Sequence, residues 1–108
     1  MSGNGDSGGN GGGNGGTECK PVYNGARILS PKNNVISKLK EGDALTLEVR
    51  QSGTANTLYA LKSGKEAGTV THTLLSQIIR CIQDGYRYVA YVKAIDGGNC
   101  NLEIRMDS

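Results

Sequence analysis

The chain has 108 residues, 17 glycines, no Trp, no Phe and a formal net charge of +2. That length holds one domain, and no run approaches the roughly 18 consecutive apolar residues of a membrane-spanning helix. The sequence reads as a soluble protein with no membrane partner, whose core must be built from Leu, Ile, Val, Ala and tyrosine.

Residues 1–18 read as a disordered Gly/Asn-rich tail, and residues 19–108 as one small domain. Met1 to Gly16 contain nine of the glycines and no Val, Ile, Leu or aromatic residue. Nothing there offsets the roughly 1–2 kcal/mol per residue that ordering a backbone costs. The segment also lacks the apolar and basic regions of a secretory signal. It holds two acids through Glu18 and no base, which leaves the domain at +4, twelve cations against eight acids. A mildly basic domain permits an anionic partner without demanding one.

Val22 to Leu29 reads as a first strand, stopped by Ser30-Pro31, because proline has no donor for a ladder. Val35 to Leu39 is one helical turn or an extended link. Asp43 to Arg50 alternates cleanly: Leu45, Leu47 and Val49 share one face, while Thr46, Glu48 and Arg50 share the other. Thr57 to Lys62 and Glu66 to Val70 follow as strands, joined by a turn at Ser63-Gly64-Lys65.

A helix then interrupts the strands. Leu74, Leu75, Ile78, Ile79 and Ile82 recur at helical spacing. Thr71 or Thr73 is expected to cap its start, and Gly85 to end it in the left-handed C′ position. A closing hairpin joins Tyr86–Ile95 to Cys100–Met106 through Asp96-Gly97-Gly98-Asn99. Counting outward from that turn sets Ile95 against Cys100, Tyr91 against Ile104 and Val89 against Met106. Cys100, Leu102, Ile104 and Met106 then face the core, and Tyr88, Ala90, Val92 and Ala94 face outward. An outer face so apolar is either covered by another part of a barrel or offered to a ligand. The expected fold is mainly β with one helix (α+β), ordered ββββαββ along the chain. It forms a small curled sheet or β-barrel with the helix plugging one end.

Catalytic chemistry finds no constellation. His72 is the only histidine and sits just before the helix, where capping or packing explains it. The carboxylates are dispersed, and neither a phosphate loop nor a nucleophile elbow is present. The expectation is a protein that is not an enzyme and holds no metal or cofactor. Cys19, Cys81 and Cys100 form no C-x-x-C pair, which argues against a disulfide scaffold and for a reducing, cytoplasmic setting. A Cys81–Cys100 bridge stays geometrically open. Cys81, within the apolar stripe, reads as a small buried hydrophobe.

The tyrosines lie among cations: Tyr86, Tyr88 and Tyr91 interleave with Arg87 and Lys93. Such rings either pack the core or stack on bases while cations meet phosphate.

The run from Gly25 to Arg105 resembles the HIRAN domain, a small β-barrel module. The likeness rests on Gly25-Ala26-Arg27, on Gly42-Asp43 before Leu45, Leu47 and Val49, on Ala67-Gly68-Thr69-Val70, and on Gly85 with Ala90 and Val92. Ile28 and Leu29 stand where the family carries an aromatic pair, and Ser52 to Tyr59 lacks the proline and acid of its N-P-x-D-x-N-A stretch. The resemblance implies binding of single-stranded DNA, particularly at a free 3′ end, and carries over Arg27 as a contact residue.

Two functions follow as expectations. One is a non-catalytic module for single-stranded DNA or other exposed nucleic acid, with Arg27, Arg50 and Lys62 on phosphates and Tyr59 or Tyr88 stacking. The alternative is a protein-interaction or inhibitor domain that docks through Tyr88, Ala90 and Val92.

Overall fold

A computed structural model describes residues 18–107, so nearly all of the predicted tail lies outside the described residues. Six strands and two short helices follow in the order β1 (Val22–Leu29), α1 (Asn33–Ile36), β2 (Ala44–Ser52), β3 (Ala55–Lys62), β4 (Lys65–Thr71), α2 (Leu75–Gln83), β5 (Tyr88–Asp96) and β6 (Asn99–Met106). The strands close into an antiparallel barrel in the order β1-β4-β3-β2-β5-β6. Closure leaves no unpaired edge.

The strand turns are local and follow residue chemistry. Ser63 and Gly64 have φ of 51° and 81°, and Lys62 pairs directly with Lys65. Two central residues with positive φ in a two-residue loop make a type I′ hairpin, whose twist matches the strands.

Alternation fills the interior. Leu45, Leu58, Ala60, Ala90, Val92, Leu102 and Ile104 are all buried, with Leu47 and Val49 packed against them. Each end of the barrel is covered. Val35 and Ile36 of α1 and Leu39 just after it are buried, and the Lys32 amide donates to Ala67 O at 2.9 Å. The short Val35–Leu39 segment is therefore helical where it begins, and the order along the described chain is βαβββαββ with two helices, not the expected ββββαββ with one.

At the opposite end, α2 buries Ile78, Ile79 and Cys81; each fully buried Ile is worth about 1.5–3 kcal/mol. No side-chain cap comes from a threonine. His72 instead fixes the residue before the helix, its Nδ1 accepting from the amide of the N-cap residue Leu74 at 2.9 Å. Gly85, at φ 106°, stands one residue past the C-cap Asp84, where a left-handed residue ends a helix.

Two further expectations are corrected. The first concerns β5. Ile95 does face Cys100, but a bulge between Val92 and Ala94 shifts the ladder, so Val92 meets Leu102, Ala90 meets Ile104 and Tyr88 meets Met106. One extra residue reverses every side chain beyond it. Tyr88, Ala90 and Val92 thus point into the barrel at 6%, 0% and 1% exposure, and the apolar outer face does not exist.

The second concerns the cysteines. Cys19 is disulfide-bonded to Cys81 with Cα atoms 5.8 Å apart, while Cys100 is free and buried. The pairing was hidden because it joins the approach to β1 with a helix 62 positions later, which only barrel closure brings together. The cysteines therefore give no argument for a reducing compartment.

Candidate nucleic-acid interface

The outer wall of β1, β4, β3 and β2 carries a continuous row of partners: Leu29 pairs with Thr69, Thr69 with Tyr59, and Tyr59 with Glu48. Arg27 lies two residues from Leu29 along β1, and Arg50 two residues from Glu48 along β2, both on the side of the row nearer α2. In the closed order β1 and β2 stand three steps apart either way round, so the row curves over half the barrel and the two arginines project from opposite sides of it. Leu29 is 46% exposed, a large apolar side chain in solvent on the same row.

Arg50 is the most ordered group of the wall. Its guanidinium carbon lies 4.1 Å from the centre of the Tyr59 ring. Nε donates to Glu48 Oε2 and Nη1 to Glu66 Oε1, each at 2.8 Å. These two bonds hold the guanidinium charged well above its ordinary pKa. Two of its five N–H donors are thus directed at carboxylates, which balance the charge expected to meet phosphate. What stays open is the plane: the side chain remains 40% exposed. A fixed planar cation stacked on tyrosine extends the aromatic platform by one layer.

The other expected site residues separate. Arg27 is exposed on the wall. Lys62 lies at the far end of β3, three residues or about 10 Å from Tyr59, with Nζ 3.8 Å from Asp43 Oδ2. Tyr88 is interior and cannot stack on a base. Its hydroxyl donates to Lys20 O at 2.8 Å, and its ring centre lies 5.8 Å from that of Tyr23. Burial first, then Tyr23 and Tyr86, push its phenol up to about 12. Tyr23 is buried as well, its hydroxyl accepting from the Lys20 amide and from Gln77 Nε2.

His72 is committed to structure. Because Nδ1 accepts from the Leu74 amide, Nε2 carries the proton and donates to Asn24 O at 2.6 Å. Among the described residues no group of three or more His, Cys, Asp or Glu side chains could hold a metal, and no helix is long and apolar enough to cross a membrane.

A surface depression of about 630 Å³ lies elsewhere, between the Glu41–Gly42 turn and the β5–β6 wall. Its charges are satisfied within it: Glu103, only 8% exposed, pairs with Lys93 at 3.6 Å and with Arg105. Size does not make it the site, because it leaves little unbalanced charge for a ligand to meet.

Known proteins give no match. Comparison with protein-family models, with curated proteins and with solved structures finds none for this chain. The site therefore rests on its own geometry.

Sequence reasoning missed Leu29 and Thr69 as wall residues, although period-two counting from Arg27 places Leu29 beside it. It also missed Lys38 and Lys65, which converge with Lys62 on a second, smaller pocket. The signal for Lys65 was present: a two-residue Ser-Gly turn sets its flanking lysines directly opposite each other.

Proposed function

We propose that this barrel is a non-catalytic binding module for single-stranded nucleic acid, and that the strand lies on the β1-β4-β3-β2 wall. The observation that carries the reading is Arg50 over the Tyr59 ring, held by two carboxylates, with Arg27 and Leu29 reached round the curve of the barrel on β1. Bases stack on arginine and tyrosine planes with little regard to sequence, and Arg27 supplies a phosphate contact. The resemblance of Gly25–Arg105 to the HIRAN domain supports the same reading through Arg27. The strand-shaped ligand also suits a wall without a deep cavity, since stacking needs only a platform and flanking cations.

The test is fluorescence polarisation of a labelled single-stranded oligonucleotide across a salt series. Binding should weaken steeply with salt as phosphate neutralisation releases counterions, and Tyr59→Ala should weaken it at every salt concentration. An oligonucleotide that stays free even at low salt overturns the reading. Docking of a protein through Tyr88, Ala90 and Val92 has lost its surface, because all three fill the barrel.

A further inference from the structure

At the end of the barrel covered by α1, a pocket of about 230 Å³ is lined by Asn34, Val35, Lys38, Lys62, Ser63 and Lys65. Three of these are lysines, one each from β3, β4 and the segment that follows α1, and Val35 adds an apolar side chain. Lys32 and Lys40 flank the same helix along the chain. Among the described residues, Lys38 and Lys65 form no salt bridge. Asp43, 3.8 Å from Lys62 Nζ, is the carboxylate that answers this charge.

Two features of the pocket cost stability in the protein by itself. Lys62 and Lys65 are direct cross-strand partners, and like charges placed opposite each other on a ladder repel. Ser63 holds φ 51° in a turn where Asn or Gly would sit without strain, and that choice puts a hydroxyl at the pocket rim. Backbone strain and uncompensated like charge coinciding at one small cavity are the mark of a site completed by a ligand of opposite sign.

We infer that this lysine pocket is a phosphate-binding subsite. An oxyanion there would accept from Lys38, Lys62 and Lys65, with the Ser63 hydroxyl and the Asn34 amide as neutral donors, and would relieve the Lys62–Lys65 repulsion. The inference deepens the strand-binding reading and rests on it for the source of the phosphate. The pocket terminates the same β3–β4 pair that carries Tyr59 and Thr69, about 10 Å further along the strand direction. Lys62 is three residues from Tyr59 and so of opposite parity on β3, and a strand stacked at Arg50 and Tyr59 would turn over the barrel rim to set a backbone phosphate on the lysines.

The experiment has two arms. In the first, inorganic phosphate is titrated into the isotope-labelled full chain at constant ionic strength, with chloride as control, and backbone amides are followed by NMR. Amides of Asn34, Lys38, Ser63 and Lys65 should move selectively and saturably. The Lys38→Gln/Lys65→Gln double variant should lose the response with the rest of its spectrum intact. Shifts spread evenly over the basic surface, or a response that survives in the double variant, overturn the pocket.

In the second arm, the same variant is titrated with a single-stranded oligonucleotide. Loss of two of the three cations on that one phosphate should weaken binding about tenfold at low salt and flatten the log–log salt slope by up to about 0.7, the share of one single-strand phosphate. If the variant binds as tightly as the parent while Arg50→Ala binds weakly, the wall stands and the phosphate subsite falls. If phosphate fills the pocket but no oligonucleotide binds, the subsite stands and the strand-binding reading falls.

Discussion

Arg50 lies face-on over Tyr59, with its guanidinium carbon 4.1 Å from the ring centre, and two acids from different strands keep it there. The pair depends on barrel order. Glu48 shares β2 with Arg50, Tyr59 comes from β3 and Glu66 from β4, so three adjacent strands build one platform. The acids cancel the charge that would draw in phosphate yet leave the flat surface that a base can cover. Arg50 is therefore read as a stacking group, and attraction for phosphate falls to Arg27 and the lysines.

That division of labour is testable with Glu66→Gln. The substitution keeps the shape of the side chain and removes one of the two charges on Arg50. If Arg50 stacks, oligonucleotide affinity should change less than threefold and the salt slope should rise slightly, because a cation is partly released. Tyr59→Ala should cost about 1–3 kcal/mol of binding, the usual worth of a base–aromatic stack. Polarisation titrations at two salt concentrations read both. Equal binding by Tyr59→Ala and the parent would remove stacking from the mechanism.

The Cys19–Cys81 bridge closes a loop of 62 positions and ties the approach to β1 onto α2. In the chain-entropy treatment a loop of that length stabilises the folded state by about 4 kcal/mol. Urea unfolding with and without reductant should show a lower midpoint once the bridge is opened, and Cys19→Ser should reproduce the reduced midpoint. Cys19 is the better residue to replace, since Cys81 is fully buried and shortening it would open a cavity as well. Identical midpoints in oxidant and reductant would mean the bridge does not form in solution.

Gly68 has no room for a side chain. A Cβ there would stand 2.5 Å from Ile28 Cγ2 and 2.8 Å from Leu29 O, and the backbone already has φ 150°. The carbonyl cannot turn away without breaking the β1–β4 pairing of Ile28 with Val70. Gly68→Ala should therefore destabilise by at least the roughly 1–3 kcal/mol typical of overpacking. Thermal melting of the variant, with Gly53→Ala as a control in open space, separates steric clash from the strain of positive φ. Equal losses for the two variants would rule out the close approach as the cause.

Six strands, the α2 stripe and the Gly85 stop were legible because each is written in local spacing: period two, period 3.6, and a glycine where the chain must turn left. Three features were not. The bulge near Lys93 leaves no local mark, yet it turned Tyr88, Ala90 and Val92 from a supposed docking face into core. The Cys19–Cys81 pair needed the barrel to close before its distance became short. The Arg50–Tyr59 platform needed the registers of three strands, since alternation shows which way a side chain points but not what stands beside it. Outward-facing residues could be named from type and parity, as Arg27 and Tyr59 were, whereas their grouping depended on topology.

Tyr88 supplies a prediction about pH. Its phenol, raised to about 12 by burial and by its neighbouring tyrosines, would ionise in the unfolded chain near 10. Below pH 10 both states keep the proton and stability is unaffected. Between 10 and 12 the unfolded chain releases it first, so stability falls as pH rises, by on the order of 2–3 kcal/mol over the two units. Tyr88→Phe should flatten that decline. At neutral pH it should cost only about 1 kcal/mol, the net worth of the hydrogen bond to the Lys20 carbonyl. Urea midpoints from pH 8 to 12 measure the slope. They are best taken in a Cys100→Ala background, so that no free thiolate can attack the Cys19–Cys81 bridge. Cys100 is buried, and burial raises its thiol pKa, so its own ionisation adds to the alkaline loss of stability and its removal takes that contribution out of the slope. An unchanged slope in Tyr88→Phe would place the alkaline sensitivity on another tyrosine and return Tyr88 to a simple packing role.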